Sequence, residues 1–448
     1  MDVSSQHCRD IALPISQIVG GANFSSWAEM TDRWQQVIRR SVAPASEIAG
    51  LVFPGTAEEL AQVVAYAQQQ QYAILPCGNG SKLSWGGLVS APITGLPLLV
   101  VSTARLNRLI DHATGDLTVT VEAGMGFAEL QAKLAAAGQF LAIDPAYPDQ
   151  ATIGGIVATA DTGSLRQQYN SVRDMLLGIT FVRADGQVAK AGGRVVKNVA
   201  GYDLMKLFTG SYGTLGVLTQ MTFRVYPLPV ASQTIVLTGA LESIAQLSQF
   251  ILQSALTPTR FDLLSAGVMQ HLGLGQTTGL AIQFQSIPAS VQQQIHAVAA
   301  LGQTHQLSSQ CLSEANELAL WQQLQERMTQ IPATGAIACK IGIQPSQAAE
   351  LLHTNQLSLP GWYAQIHAAS GLGRLFIEDS SVGAIELPAV RTICQENHGF
   401  LTILEAPLDL KQLDVWGYSG NALSVMRHIK QQFDPTDRLS PRRFVGGI

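Results

Sequence analysis

The chain has 448 residues, 47% hydrophobic and only 13% charged, against a usual charged share of ~25%. That is length for two or three globular domains with an apolar core in each. The net charge of -5 gives no basic surface for nucleic acid, and no apolar run reaches the ~18 residues of a membrane span.

The N-terminus lacks the basic start and apolar core of a secretory signal. Cys8, Cys77, Cys311, Cys339 and Cys394 are scattered, with no CxxC pair. They argue against a disulfide framework, a zinc site or an iron–sulfur cluster in this chain, and for reduced thiols in the cytoplasm. Residues 1–47 read as an N-terminal extension. Within it Trp27, Met30, Trp34, Val37 and Ile38 fall at helical spacing over 26–40. That helix either packs on its own domain or docks a partner protein.

From Ile48 strands and helices alternate. "TAEELAQVVAYAQQQQ" predicts a helix with a Thr56/Glu59 capping box. "YAILPCG" reads as a buried strand ending in glycine. "LTVTVEAG" is a strand with Leu117, Val119 and Val121 on one face. "FAELQAKLAAAG" is a helix stopped by Gly138. "LLGITFVRADGQVAKAG" is a hairpin turning at Asp185-Gly186, and "VLTQMTFRVYPLP" a strand closed by prolines. The order is α+β. After Pro229 the glycine density falls. "SQTIVLTG", "TRFDLL" and "GLAIQFQS" read as strands, and "ALESIAQLSQFILQSA" and "ASVQQQIHAVAAL" as helices. Long helices on a few short strands predict a split βαβ sheet domain over 230–410. Residues 411–448 hold a last helix, ended at Asp434-Pro435, and a basic tail with Arg438, Arg442 and Arg443.

Three glycine-rich segments carry the chemistry. "PCGNGSKLSWGG" follows a strand end, and positive φ at Gly78 and Gly80 would turn successive N–H groups inward as an anion-binding nest. Ser81 adds a hydroxyl and Lys82 a charge. The alternative is a structural turn. The spacing is not that of a Walker loop, and in "VEAGMGFAE" Glu129 stands where a dinucleotide fingerprint needs its third glycine. "DPAYPDQATIGGIVATADTGS" is a small-residue loop in which Gly154, Gly155, Ala158 and Ala160 admit a flat ligand and Thr152 and Thr159 could donate to it; it also suits tight helix packing. "RVVKNVAGYDLMKLFTGSYGTLGVLTQ" is the third. Together they imply an elongated ligand with a phosphate portion and a planar portion.

The order of these segments, over about Leu51 to Pro229, resembles the FAD-binding domain of the vanillyl-alcohol-oxidase (PCMH-type) flavoproteins. The closing "KQQFDPTDRLSPRR" resembles that family's final FDP…NPGR segment. Within the family the chain is most like the smaller FAD-binding subunits of bacterial glycolate oxidases. The resemblance implies a two-subdomain PCMH-type FAD-binding domain over 48–229, followed by an α+β sheet domain of FAD-linked oxidase C-terminal type over 230–410. The tail over 411–448 would return to the FAD domain. By the same carry-over Gly78, Asn79, Gly80, Ser81, Lys82 and Leu83 hold the pyrophosphate. Thr152, Gly154, Gly155 and Thr159 border the ring system and ribityl chain. Lys197, Gly201, Gly213, Gly216 and Val217 close over the flavin. No histidine stands in the first loop, where many family members attach FAD, so the resemblance implies non-covalent FAD.

Oxidising a 2-hydroxy acid needs a base or metal for the hydroxyl proton and a cation for the carboxylate. Related enzymes carry a metal-binding, histidine-rich stretch. Here the comparable "IHAASGLGRLF" keeps His367 alone, so no metal is expected. His367 is either a base or a strand histidine with a satisfied hydrogen bond, and Arg374 either a carboxylate partner or a solvated side chain. The expected activity is oxidation of glycolate to glyoxylate, with D-lactate as a further candidate. The expected partners are a larger FAD-binding subunit and an iron–sulfur subunit that would take the electrons and tie the chain to a membrane periphery. A non-catalytic flavin-domain scaffold, or an independent FAD-dependent alcohol oxidase, remains the alternative.

Overall fold

A computed structural model describes residues 3–90, 97–194, 201–329 and 335–448. Helix α1 (Val3–Val19) lays Ile11, Ile15 and Val19 against Leu60, Val63 and Val64 of helix α3 (Ala57–Gln69). Strand β1 (Phe24–Ser25) then pairs with β2 (Ile48–Val52). So the N-terminal segment is woven into the first sheet, order β1-β2-β4-β3, with β3 (Ala73–Cys77) and β4 (Leu98–Ser102). The helix expected over 26–40 is broken. A single turn over Trp27–Glu29 precedes helix α2 (Asp32–Arg39), because Met30 and Thr31 are extended. Trp27, Met30, Trp34, Val37 and Ile38 pack with Leu51, Leu75 and Leu83. At the start of α3, Thr56 Oγ1 accepts from Glu59 N, and Glu59 accepts from Gly55 N instead of from the cap's own N–H.

The second sheet has the order β5-β6-β10-β8-β9. Its members are β5 (Leu109–Ala113), β6 (Thr118–Glu122), then, after the short β7 (Gln139–Phe140), β8 (Leu176–Val182), β9 (Val188–Gly192) and β10 (Val217–Arg224). Strand β11 (Tyr226–Pro227) pairs with β7. Helices α4 (Phe127–Ala135) and α5 (Ile153–Thr159) cover this sheet, with Leu130, Leu134, Ile156 and Val157 in its core.

Beyond residue 230 the sheet is larger than the few short strands expected. Eight antiparallel strands run β15-β12-β14-β13-β17-β18-β16-β19. They are β12 (Ala231–Thr238), β13 (Arg260–Leu264), β14 (Gly279–Ser286), β15 (Ser308–Ser313), β16 (Ile337–Gly342), β17 (Trp362–His367), β18 (Leu372–Ile377) and β19 (Phe400–Glu405). Side chains alternate between its faces. Ile235, Leu263, Ile282, Ile366, Leu375 and Ile341 share the main apolar core. The opposite face carries a polar row set by register: Asp262 lies across from His367, Gln365 from Arg374, and Arg374 from Lys340. This polar face meets the glycine-rich half of the chain.

The C-terminal tail also returns there. Ile74 N donates to Arg438 O and Ser440 N to Ile74 O, so residues 438–440 run beside β3. Lys430 anchors the turn before it. Its ammonium donates to Asp434 Oδ2 (2.6 Å), Leu439 O (2.8 Å) and Thr214 O (3.1 Å). Lys430→Met should leave the buried Asp434 charge uncompensated and lower the unfolding free energy by ~3–5 kcal/mol. Adding Asp434→Asn to it should restore part of that loss in the same denaturant titration.

Candidate active site

The first glycine loop leaves the end of β3 and forms one wall of a cavity. Gly78, Asn79, Gly80, Ser81, Lys82 and Leu83 line that wall. Thr152, Gly154, Gly155 and Thr159 of α5 line another, and Gly213, Gly216 and Val217 close it. Gly201 is exposed and is not among the lining residues. Lys197 lies outside the described residues.

The two loop glycines differ from the alternating pattern expected of them. Gly80 has φ +81°, and Gly78 is not left-handed. A Cβ on Gly78 would instead overlap the Thr152 side chain, so Gly78 lets the loop touch α5. A Cβ on Gly80 would press on Val37 and Trp34 at 3.0 and 3.1 Å. Arg33 Nη2 donates to Asn79 O (2.9 Å), so α2 braces the loop from outside. The second small-residue segment is a helix. Thr152 caps it by accepting from Gly155 N, and Ala160 ends it at φ +48°. Thr159 Oγ1 donates to Gly155 O (2.8 Å), which spends the donor expected for a ligand.

The sequence shows Arg443 only as one member of a basic tail. The structure buries it in the cavity wall at 4% exposure. One guanidinium nitrogen donates to Leu83 O (2.6 Å). Nε and Nη1 are buried without a hydrogen-bond partner. Burial pushes the guanidinium pKa down to about 10, still charged at neutral pH. Unpaired buried donors are costly unless something accepts from them. A buried cation with two unpaired donors, bonded to a glycine loop with little side-chain bulk, fits a pyrophosphate.

At the inner end the cavity meets a second one, and Thr159 and Tyr212 line both. Here the small-residue sequence "ATADTGS" hides Asp161, which the sequence reading passed over. Its carboxylate is 3% exposed. Oδ2 lies 3.3 Å from Lys82 Nζ, and Oδ1 accepts from Arg374. Burial would raise its pKa, but Arg374 and Lys82 outweigh that and hold it below the usual carboxylate range. Lys82 therefore has a fixed partner on the inner side. Arg374 is neither solvated nor free: it pairs with Asp161 and stacks 5.5 Å over Trp85.

Arg166, Lys340, His367 and Arg374 also line the inner cavity. Lys340 was missed as well. It sits across from Arg374 in the sheet, part of its surface faces the cavity, and burial pulls its pKa down to about 8 against the pull of Asp161. His367 Nδ1 is 2.6 Å from Asp262 Oδ1. His367 and Arg374 also border a further cavity that reaches Asp144, Arg260 and Trp321. Among the described residues no cluster of three or more histidine, cysteine, aspartate or glutamate side chains could hold a metal ion, and no helix is long and apolar enough to cross a membrane.

Residues 48–192 match the family model of the FAD binding domain. This region is an FAD binding domain. The fold is similar to that of the 4-ethylphenol oxidase from Gulosibacter chungangensis, with a TM-score of 0.75, 16% identity, and 98% and 97% of the two chains covered. In sequence it is similar to mitochondrial D-lactate dehydrogenase [cytochrome] of Arabidopsis thaliana, 26% identical over 88% of this chain and 73% of that protein. It is also similar to glycolate oxidase subunit GlcE of Escherichia coli, 39% identical over 38% of this chain and 48% of that one. The chain thus spans about three-quarters of one curated relative and about half of the other.

Arg443→Met should leave the FAD-free domain folded and lower FAD affinity. The loss of charge-assisted hydrogen bonds at ~1.5–3 kcal/mol predicts a ~10- to 100-fold rise in Kd, read by flavin fluorescence titration against an unchanged melting temperature of the FAD-free protein.

Proposed function

We propose that this chain is an FAD-dependent dehydrogenase of a small 2-hydroxy acid, glycolate or D-lactate, over a division of 48–229 as flavin domain and 230–410 as substrate domain. The observation that carries the reading is the inner cavity. It places two cations of the sheet, Arg374 and Lys340, beside His367, at the end of the cavity where Thr159 and Tyr212 border both spaces. The names of the relatives, a D-lactate dehydrogenase and a glycolate oxidase subunit, support the same substrate class.

In this reading Gly78–Leu83 and Arg443 hold the pyrophosphate, and Thr152, Gly154, Gly155 and Thr159 border the flavin ring. FAD supplies the acceptor for the hydrogen on the carbinol carbon. Arg374 and Lys340 hold the substrate carboxylate and orient that carbon. His367 takes the hydroxyl proton, and Trp85 and Tyr212 keep bulk water away from it. Homology to one glycolate oxidase subunit supports a complex in which a larger flavin subunit and an iron–sulfur subunit receive the electrons. FAD is held without a covalent bond.

The decisive experiment mixes the FAD-loaded chain anaerobically with glycolate, D-lactate and longer 2-hydroxy acids and follows bleaching of the flavin. Bleaching by at least one of them is expected; none by any of them removes the reading. Lys340 gives it a pH signature. Its ammonium is present below about 8 and lost above, so KM should rise as pH passes that value. One charge-assisted hydrogen bond, ~1.5–3 kcal/mol, limits the rise to ~10- to 100-fold. The rise should vanish in Lys340→Met, whose KM is high at every pH.

A further inference from the structure

We propose that Asp262 is a positioning residue that fixes His367 in the tautomer whose Nε2 accepts the substrate's hydroxyl proton. This rests on the 2-hydroxy acid reading above. The two residues face each other across the β13–β17 ladder, so the backbone register brings them together. Asp262 is fully buried, and Ser164 and Gln365 both donate to its carboxylate. His367 Nδ1 is 2.6 Å from Oδ1. Ser164 Oγ at 2.5 Å and Gln365 Nε2 at 2.9 Å both serve Oδ2. Gln365 Nε2 also donates to Ser164 Oγ, which directs the serine proton to the carboxylate.

A carboxylate accepts and does not donate. Nδ1 must then carry the ring hydrogen, and in the neutral ring the lone pair belongs to Nε2. Nε2 has no partner among the described residues, and the ring borders both the inner and the outer cavity.

Charged groups face the ring from both cavities. Arg374, Arg166 and Lys340 face it across the inner cavity. Arg260 and Asp144 face it across the outer one, and Asp161 sits behind Arg374. Asp262 stabilises the proton once it arrives. In the step the substrate O–H bond breaks to give its proton to Nε2. The electrons of that bond would form the carbonyl, and bound FAD would supply the two-electron acceptor for the carbinol hydrogen and its pair. Ser164 belongs to the segment that also carries Asp161, so one loop of the flavin domain supports both the base and the carboxylate anchor.

The test uses the FAD-loaded full chain with nitrogen-labelled histidine, its His367 signals assigned by their loss in His367→Gln. Nitrogen shifts should show hydrogen on Nδ1 and none on Nε2. Asp262→Asn should lower kcat by ~10²- to 10⁴-fold, with KM and FAD content near wild type and the acidic limb of the kcat profile moved. A hydrogen on Nε2 in the unaltered protein would overturn the proposal, whatever the variants do. So would an Asp262→Asn protein that keeps full kcat while His367→Gln loses it. If no 2-hydroxy acid bleaches the flavin, the substrate reading fails separately; the tautomer then still decides whether Asp262 orients the ring.

Discussion

Asp161 holds two cations that come from opposite sides of the molecule: Lys82 from the first glycine loop and Arg374 from the eight-stranded sheet. Taking a carboxylate out of water costs several kcal/mol, and only close, well-placed partners offset it. Moving either cation away leaves the buried Asp161 with one partner in place of two. The flavin loop and the sheet are therefore tied to one another through a side chain that belongs to neither. Asp262 ties the same segment a second time through Ser164. The positions of Arg374 and His367 relative to the cavity follow from these two ties.

The cavity is closed by both ends of the chain. Residues 33–37 brace the first loop from outside, and Arg443 reaches into its wall from the tail. Residue 74 bonds to residues 438 and 440, so the ligand wall is complete only after contacts that span nearly the whole sequence. Loop closure over such a distance has an entropic cost before it gains contacts. The buried Lys430–Asp434 pair and Leu439, fully buried beside Ile74, offset part of it.

Much of the ligand cavity was legible because glycine announces itself. A residue whose Cβ would collide with Thr152, or whose φ is positive, has few substitutes, so Gly78 and Gly80 stand out in the bare sequence. The polar row of the sheet was half legible. "TRFDLL" alternates Arg260, Asp262 and Leu264 against Phe261 and Leu263, and "YAQIHA" places Gln365 and His367 on one face. What the sequence could not supply was register. That Asp262 meets His367 depends on which strands are neighbours, and over one hundred residues separate the two in the chain. Asp161 and Arg443 were missed for a related reason. A lone acid in a small-residue loop and an arginine in a terminal basic run both look solvated until the fold buries them.

The balance of charge at the inner cavity carries the argument toward an anion. Arg166, Arg374 and Lys340 border it, with Lys82 just behind, and Asp161 is the acid among them. Cations outnumber acids on that lining, where Asp174 and Asp144 act on Arg166 from outside it, and burial already draws the pKa of Lys340 down to about 8. A protein selected for stability alone would gain by replacing such buried charges with apolar groups of similar size. Their retention fits a ligand that brings negative charge of its own. Under the proposed function, a 2-hydroxy carboxylate would bring one charge to Arg374 and Lys340, and a pyrophosphate would bring more to Arg443 and the first loop. The open donors of the cavity and the surplus cations of the inner site are then two parts of one requirement: the site's electrostatic balance is completed by what binds there.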